Sequence, residues 1–229
     1  MHTMILIFHI VFGTVSVVSG FIGLFSRKGS PIHRKAGQAF VYSMLLMGVS
    51  GTVLAIMTNF VITAFAGLFT CYLIVTAWRI IVTKPNTVSK VDYVSALVAL
   101  AIMLGCGFYG VNVMNTPEQT LDGIPYGAFF FFAGLSAIAL AFDIRMLITG
   151  GLNPTQRLAR HLWRISFAFY LSIGSFIEQS GDLIPKVVRD SGMLELPTML
   201  VLAVMVFYLL KTHFWKRFRE WRRSQAKAA

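Results

Sequence analysis

The chain has 229 residues, of which 56% are hydrophobic and only 13% are charged, and its formal net charge is +11. Soluble domains carry about 25% charged residues, so this composition, with a mean hydropathy of +0.72, indicates a membrane protein. A strongly basic chain is also typical of nucleic-acid-binding proteins. That class is excluded here, because the Lys and Arg residues lie in short connections beside apolar segments, a pattern typical of membrane proteins.

Seven apolar segments reach the length of about 20 residues that a membrane-spanning helix needs. The segments are too long for barrel strands, and irregular backbone is not tolerated against lipid, so the sequence predicts helices. The predicted fold class is therefore all-α, a single bundle of seven transmembrane helices over residues 1–213 with a basic tail over 214–229. The predicted helices lie near residues 4–25, 36–58, 60–82, 92–113, 124–147, 162–183 and 195–213.

The Lys and Arg residues are concentrated in every second connection between the apolar segments. Clusters of Lys and Arg occupy 27–35, 79–90, 145–164 and the tail, and only Lys186 and Arg189 fall in the remaining connections. Since Lys and Arg are retained on the cytoplasmic side, the N-terminus is predicted outside and the C-terminus in the cytoplasm of a multi-pass protein of the inner (plasma) membrane. The predicted partners are the bilayer itself and, at the basic tail, anionic lipid headgroups.

Polar residues within the apolar segments form two predicted layers. Small residues mark the faces where membrane helices pack together, and stripes of small residues follow His9 in the first helix and His33 in the second. The outer layer consists of His9, Glu178 and Gln179. The inner layer consists of His33, Arg34, Asp143, Arg145, His161 and Arg164. Such groups either lock helices together or line a binding cavity, and the sequence leaves both interpretations open.

Two stretches together carry a family pattern. The first joins His9 to Arg27-Lys28-Gly29 and His33-Arg34, and the second joins Asp143-Ile144-Arg145 to Arg160-His161-Leu162-Trp163-Arg164. This combination resembles an uncharacterised group of bacterial multi-helix membrane proteins, a domain of unknown function. The resemblance implies the topology and singles out these residues, but it implies no activity.

The leading hypothesis for the inner layer is a redox ligand. Histidines from different helices can ligate a haem b axially, which makes His33 and His161 candidate axial ligands. Arginines at the same level (Arg34, Arg145 and Arg164) would hold the propionates. A quinone headgroup at the same place needs only hydrogen-bond donors and a histidine that exchanges protons.

Two other classes stay open from sequence. The two polar layers also fit the ends of a route for protons or a small anion, and the basic tail fits a non-catalytic assembly or sensor protein. A metal site made of protein ligands alone is not expected, because no two histidines share a helical turn. Whether the chain is an enzyme is undecided at this level.

Overall fold

The computed structural model describes residues 2–179 and 184–228, and for 215–228 it describes the backbone only. It is 83% helical, which confirms the all-α class. A two-residue hairpin, β1 (Thr120–Leu121) with β2 (Ile124–Pro125), connects α4 to α5. The helices in the described residues are α1 (His2–Phe25), α2 (Pro31–Met57), α3 (Val61–Val82), α4 (Lys90–Met114), α5 (Tyr126–Ile148), α6 (Pro154–Gln179), α7 (Lys186–Asp190) and α8 (Leu196–Ala228), with a 3₁₀ turn at Met193–Glu195 before α8.

Six helical stretches in the described residues are long and apolar enough to cross a membrane. They are α1 to α5 and the segment Met193–Phe214, which contains the first part of α8. The predicted sixth span corresponds to α6, whose first half carries Arg157, Arg160 and Arg164. These three cations, three to seven residues apart, fall on one face of the helix and lower its apolar character.

The helix ends differ from the hydropathy-based prediction where polar residues cap them. α2 begins at Pro31 rather than near 36, because the Ser30 side chain accepts a hydrogen bond from the His33 backbone N–H and Pro31 favours the first helical position. α6 begins at Pro154 rather than near 162, because Asn153 and Gln156 exchange reciprocal side chain to backbone bonds. At the other end of the chain, the predicted tail continues α8 as far as Ala228.

The chain divides into two compact units. Unit 1 comprises Met1–Thr76 and Thr87–Gly151, and unit 2 comprises Ala77–Asn86 and Leu152–Ala229. In unit 1, α1 packs on α2 and α4 packs on α5. In unit 2, α6 packs on α8. The α3 helix begins in unit 1 and ends in unit 2.

Close helix contacts in unit 1 depend on glycine. A Cβ atom on Gly48 would lie 2.6 Å from Cys71 Sγ, and a Cβ on Gly67 would lie 3.1 Å from the Gly48 oxygen, so the backbones of α2 and α3 approach directly. The predicted stripe is thus confirmed at Gly48. It does not hold along the whole of α2, because a Cβ on Gly37 would meet nothing within 4 Å.

Aromatic packing joins α3, α4 and α5 at the end of unit 1 near the hairpin. Phe129 is fully buried and stacks on Tyr109, with ring centroids 6.1 Å apart. Buried Ile62 and Val113 complete this cluster. In the middle of the same bundle, Ser136 of α5 donates a 2.8 Å hydrogen bond to the Ala99 carbonyl of α4.

The Gly51 position gives a direct test of the α1–α2 packing. A Cβ on Gly51 would lie 2.8 Å from His9 Cε1, closer than real Cβ contacts allow. We expect Gly51→Ala to lower the free energy of unfolding by about 1–3 kcal/mol, because the His9 ring or the helix must move. Thermal unfolding in detergent measures the change.

The matched control lies on the same helix. Gly37→Ala introduces the same methyl group into open space and should be neutral, or stabilising by up to about 1 kcal/mol through helix propensity. In a His9→Ala background the cost of Gly51→Ala should disappear. Equal stability of the two single glycine variants would contradict the packing described here.

Candidate functional site

The His9 ring holds α1 against α2. Its Nδ1 lies 2.9 Å from the Met47 carbonyl and 3.2 Å from Ser50 Oγ. The Ser50 hydroxyl itself donates to the Leu46 carbonyl at 2.7 Å, so its oxygen is the acceptor toward His9. Gly51 gives the ring the space it occupies. His9 thus fixes the rotation and the level of the first two helices.

The His33 ring lies against the last turn of α1. His33 Nδ1 is 3.0 Å from the Gly23 carbonyl, and Lys28 Nζ donates to the same oxygen at 3.0 Å and to the Leu24 carbonyl at 2.8 Å. The two nitrogens are therefore no more than about 6 Å apart. Carbonyls at the end of a helix lack a partner within the helix, and these two basic side chains supply it. Partial burial lowers the pKa of Lys28 below its ordinary value.

A tight turn brings these groups together. The Ser30 backbone N–H donates to the Arg27 carbonyl at 3.0 Å, and Gly29 takes a φ of +80°, a conformation that suits glycine. The turn joins α1 to α2 through only five residues, 26–30. His33 in the first turn of α2 can consequently reach back to α1.

Two basic side chains of α6 hold the end of α3 within unit 2. His161 Nδ1 lies 3.1 Å from the Ala77 carbonyl. The Arg157 guanidinium donates to the Lys84 carbonyl at 2.8 Å and to the Thr83 carbonyl. The Asn86 N–H donates to the Leu152 carbonyl at 3.1 Å, which ties the two connecting segments together.

Three of the five histidines, His9, His33 and His161, share one protonation pattern. Each places Nδ1 beside a backbone carbonyl, of Met47, Gly23 or Ala77, and a carbonyl oxygen only accepts. Nδ1 must therefore carry a hydrogen, and in the neutral ring the lone pair is on Nε2. A histidine held by Nδ1–H on a carbonyl is the arrangement that orients an imidazole toward a metal or a ligand hydroxyl.

Asp143 is completely buried in unit 1 and contacts α3. The Tyr72 hydroxyl donates to Asp143 Oδ2 at 2.5 Å, a short bond of the kind that a charged acceptor makes. Tyr72 is itself buried. A carboxyl group in an apolar helix is costly without such a donor, so this pair fixes α5 to α3.

The other predicted site residues are placed differently. Arg34 and Arg145 are exposed on unit 1. Arg164 is fully buried in unit 2, where its guanidinium lies 5.1 Å from the Trp163 ring centroid. Glu178 and Gln179 are exposed at the end of α6, where Gln179 Nε2 donates to Ser175 Oγ at 2.8 Å.

The predicted layers are therefore distributed over both units. Of the inner layer, unit 1 contains His33, Arg34, Asp143 and Arg145, and unit 2 contains His161 and Arg164. Within unit 1, His33 contacts α1 whereas Asp143 contacts α3, so these two residues serve different helix pairs. Of the outer layer, His9 belongs to unit 1, and Glu178 and Gln179 belong to unit 2.

No three His, Cys, Asp or Glu side chains gather into a metal-binding group in the part of the chain that the structure describes. The polar side chains described above belong to separate helix contacts in two units, so each contact is a separate candidate site.

Two residues that matter here were not predicted as site residues. Tyr72 was overlooked because a tyrosine in an apolar helix is common and its partner is 71 positions away in sequence. In the sequence, Arg157 contributes only to the Lys and Arg cluster at 145–164 that predicts membrane orientation. In the structure it is buried and binds the segment after α3. A buried arginine at the start of a helix is visible in the sequence only once that helix is known to begin at Pro154.

The fold and these contacts define an all-α protein whose apolar helices suit a membrane. The chain matches no known family model, and neither a curated protein nor a solved structure shows significant similarity to it. Functional conclusions therefore depend on the residues themselves.

The Tyr72–Asp143 bond leads to a stability prediction. Tyr72→Phe removes the hydroxyl donor and keeps the ring, so we expect the free energy of unfolding to fall by about 1–3 kcal/mol, the cost of losing a buried bond to a charged group. Denaturation of the detergent-purified protein measures this. Tyr42→Phe is the matched control, because Tyr42 is 59% exposed. Equal stability of the two variants would show that the bond does not stabilise the fold.

Proposed function

We propose that the chain is a multi-pass protein of the inner membrane with seven crossings, an outer N-terminus and a cytoplasmic C-terminus. Six apolar helices support the membrane class. For the seventh crossing we take α6, whose 26 residues extend about 39 Å, enough for the hydrocarbon core. The alternation of Lys and Arg clusters supports the orientation.

For activity, we propose that the protein binds a quinone-type headgroup at His33. One observation carries this proposal: the half-buried His33 ring is held by Nδ1–H on the Gly23 carbonyl, which leaves a basic Nε2 at the edge of the membrane-spanning region. A hydroquinone hydroxyl donates to that nitrogen, and the protonated ring donates to a quinone carbonyl.

A haem b is the alternative redox ligand. Two axial histidines of one iron stand only a few ångströms apart, on opposite sides of the macrocycle. His9 lies beside Met47, and Met47 and His33 are 14 residues apart on α2, or about 21 Å along the helix axis. His9 and His33 are therefore too far apart to hold one haem together, and the haem hypothesis rests on the predicted pair His33 and His161.

The test compares three forms of the protein in detergent. Each form is titrated with decylubiquinone, and the bound fraction is measured by equilibrium dialysis. The unmodified chain should bind the quinone. His33→Asn should weaken the binding at least tenfold, because an asparagine amide can still donate to the Gly23 carbonyl but has no basic nitrogen at the Nε2 position. Tenfold corresponds to about 1.4 kcal/mol. His2→Ala, which removes an exposed histidine, is the matched control.

The possible results test the identity of the ligand and the role of His33 separately. No binding by the unmodified chain would refute the quinone-type ligand, and unchanged binding by His33→Asn would refute the role of His33. A visible spectrum before and after dithionite tests the alternative: a Soret band that shifts on reduction, and that His33→Ala and His161→Ala each abolish, would replace the quinone by a haem.

Proton or small-anion transport is a second candidate, and the burial of Asp143 favours it. A carboxyl group with no exposed surface in an apolar helix, hydrogen-bonded to a tyrosine hydroxyl, is the type of group that carries protons across membranes. Neither Tyr72 nor Asp143 takes part in the His33 site.

This candidate makes its own prediction. In vesicles loaded with a pH-sensitive dye, Asp143→Asn should reduce proton flux at least tenfold, since the amide cannot release a proton yet still accepts the Tyr72 hydrogen bond. Glu118→Gln, which alters an exposed carboxyl in the α4–α5 connection and outside both predicted layers, should leave the flux unchanged. Equal flux in vesicles with and without the protein would refute transport and favour the non-catalytic class.

A further inference from the structure

The strongest feature outside the proposed ligand site is the distribution of charge in unit 1. The first 91 residues contain no Asp or Glu, and the first acidic residue is Asp92. The same stretch contains four basic residues in or just after the α1–α2 turn: Arg27 and Lys28 in the turn, and Arg34 and Lys35 at the start of α2. No carboxylate of α1, α2 or α3 is thus available to neutralise them.

The four carboxylates of unit 1 have other positions or partners. Asp92 accepts hydrogen bonds from the Ser89 backbone and hydroxyl at 2.9 Å each, which caps α4. Asp143 is buried against Tyr72. Glu118 and Asp122 lie in the α4–α5 connection, at the end of the unit opposite to the α1–α2 turn, because successive connections of an antiparallel bundle alternate between its ends.

The turn presents its charge in a defined arrangement. Lys28 folds back onto the Gly23 and Leu24 carbonyls, whereas Arg27, Arg34 and Lys35 are exposed. The hydrogen bond from Ser30 N–H to the Arg27 carbonyl closes the turn and places Arg27 next to the first turn of α2, which carries the other two. The cations therefore surround a short turn between two apolar helices.

We propose that the α1–α2 turn binds the phosphate of an anionic membrane lipid, with Arg27, Arg34 and Lys35 as the contacting residues. Guanidinium groups match phosphate oxygens in a two-pronged arrangement, and Lys adds a point charge. A basic group between membrane helices is the recurring form of such headgroup sites. The acyl chains of the lipid would lie along the exposed apolar side chains near the turn, such as Phe25 and Ile32, which are 68% and 63% exposed.

The test uses charge variants that leave His33 and Arg34 unchanged, so that its result is independent of quinone binding. The thermal midpoint of the detergent-purified chain is measured after adding dioleoylphosphatidylglycerol or dioleoylphosphatidylcholine. We expect the anionic lipid to raise the midpoint more than the neutral lipid does. Arg27→Gln/Lys35→Gln should lose at least half of that difference. Lys84→Gln/Lys90→Gln, which removes the same charge from the next basic connection, should keep it.

Each contrary result overturns the proposal in a different way. Equal midpoints with the two lipids would show that the chain has no preference for an anionic headgroup. Equal losses in the two double variants would show general surface attraction rather than a site at this turn. An equal rise with inorganic phosphate alone would show an anion site that needs no lipid. Decylubiquinone binding by Arg27→Gln/Lys35→Gln is measured as well. Unchanged quinone binding by this variant would show that the lipid result and the His33 proposal are independent.

Discussion

A polar side chain within an apolar helix has to find its hydrogen-bond partner inside the protein, because lipid supplies none. In this chain the partner is repeatedly a backbone carbonyl of another helix. His9 binds the Met47 carbonyl, His33 binds the Gly23 carbonyl and His161 binds the Ala77 carbonyl. These contacts set the rotation of α1, α2 and α6, and through it the direction of every other side chain on those helices.

The same constraint explains why the histidines are candidates for function as well as for structure. Binding a carbonyl through Nδ1 uses the hydrogen of the ring and leaves the basic electron pair on Nε2. A structural role and a ligand role therefore occupy different atoms of one residue. For this reason an asparagine, which imitates the Nδ1 side of the ring, separates the two roles at His33.

The most buried carboxylate of unit 1 and the basic residues beside the α1–α2 turn occupy different places. Asp143 lies within the α3–α5 contact, where the Tyr72 hydroxyl donates to it. Arg27, Arg34 and Lys35 are exposed beside the turn. The transport and lipid-binding proposals therefore concern different residues and can be tested separately.

The amino-acid sequence by itself determined the all-α class and the position of the apolar helices within a few residues, because hydropathy depends on local sequence alone. Capping at Ser30 and Asn153 also lies in the local sequence, but it moves helix ends beyond the apolar run that hydropathy detects. Only the tertiary structure decided which helix each polar group faces. The choice of Met47 for His9 depends on the close approach of α1 and α2 at Gly51, and that approach is a property of two helices packed together rather than of either one. The choice of Tyr72 for Asp143 likewise depends on the packing of α3 against α5.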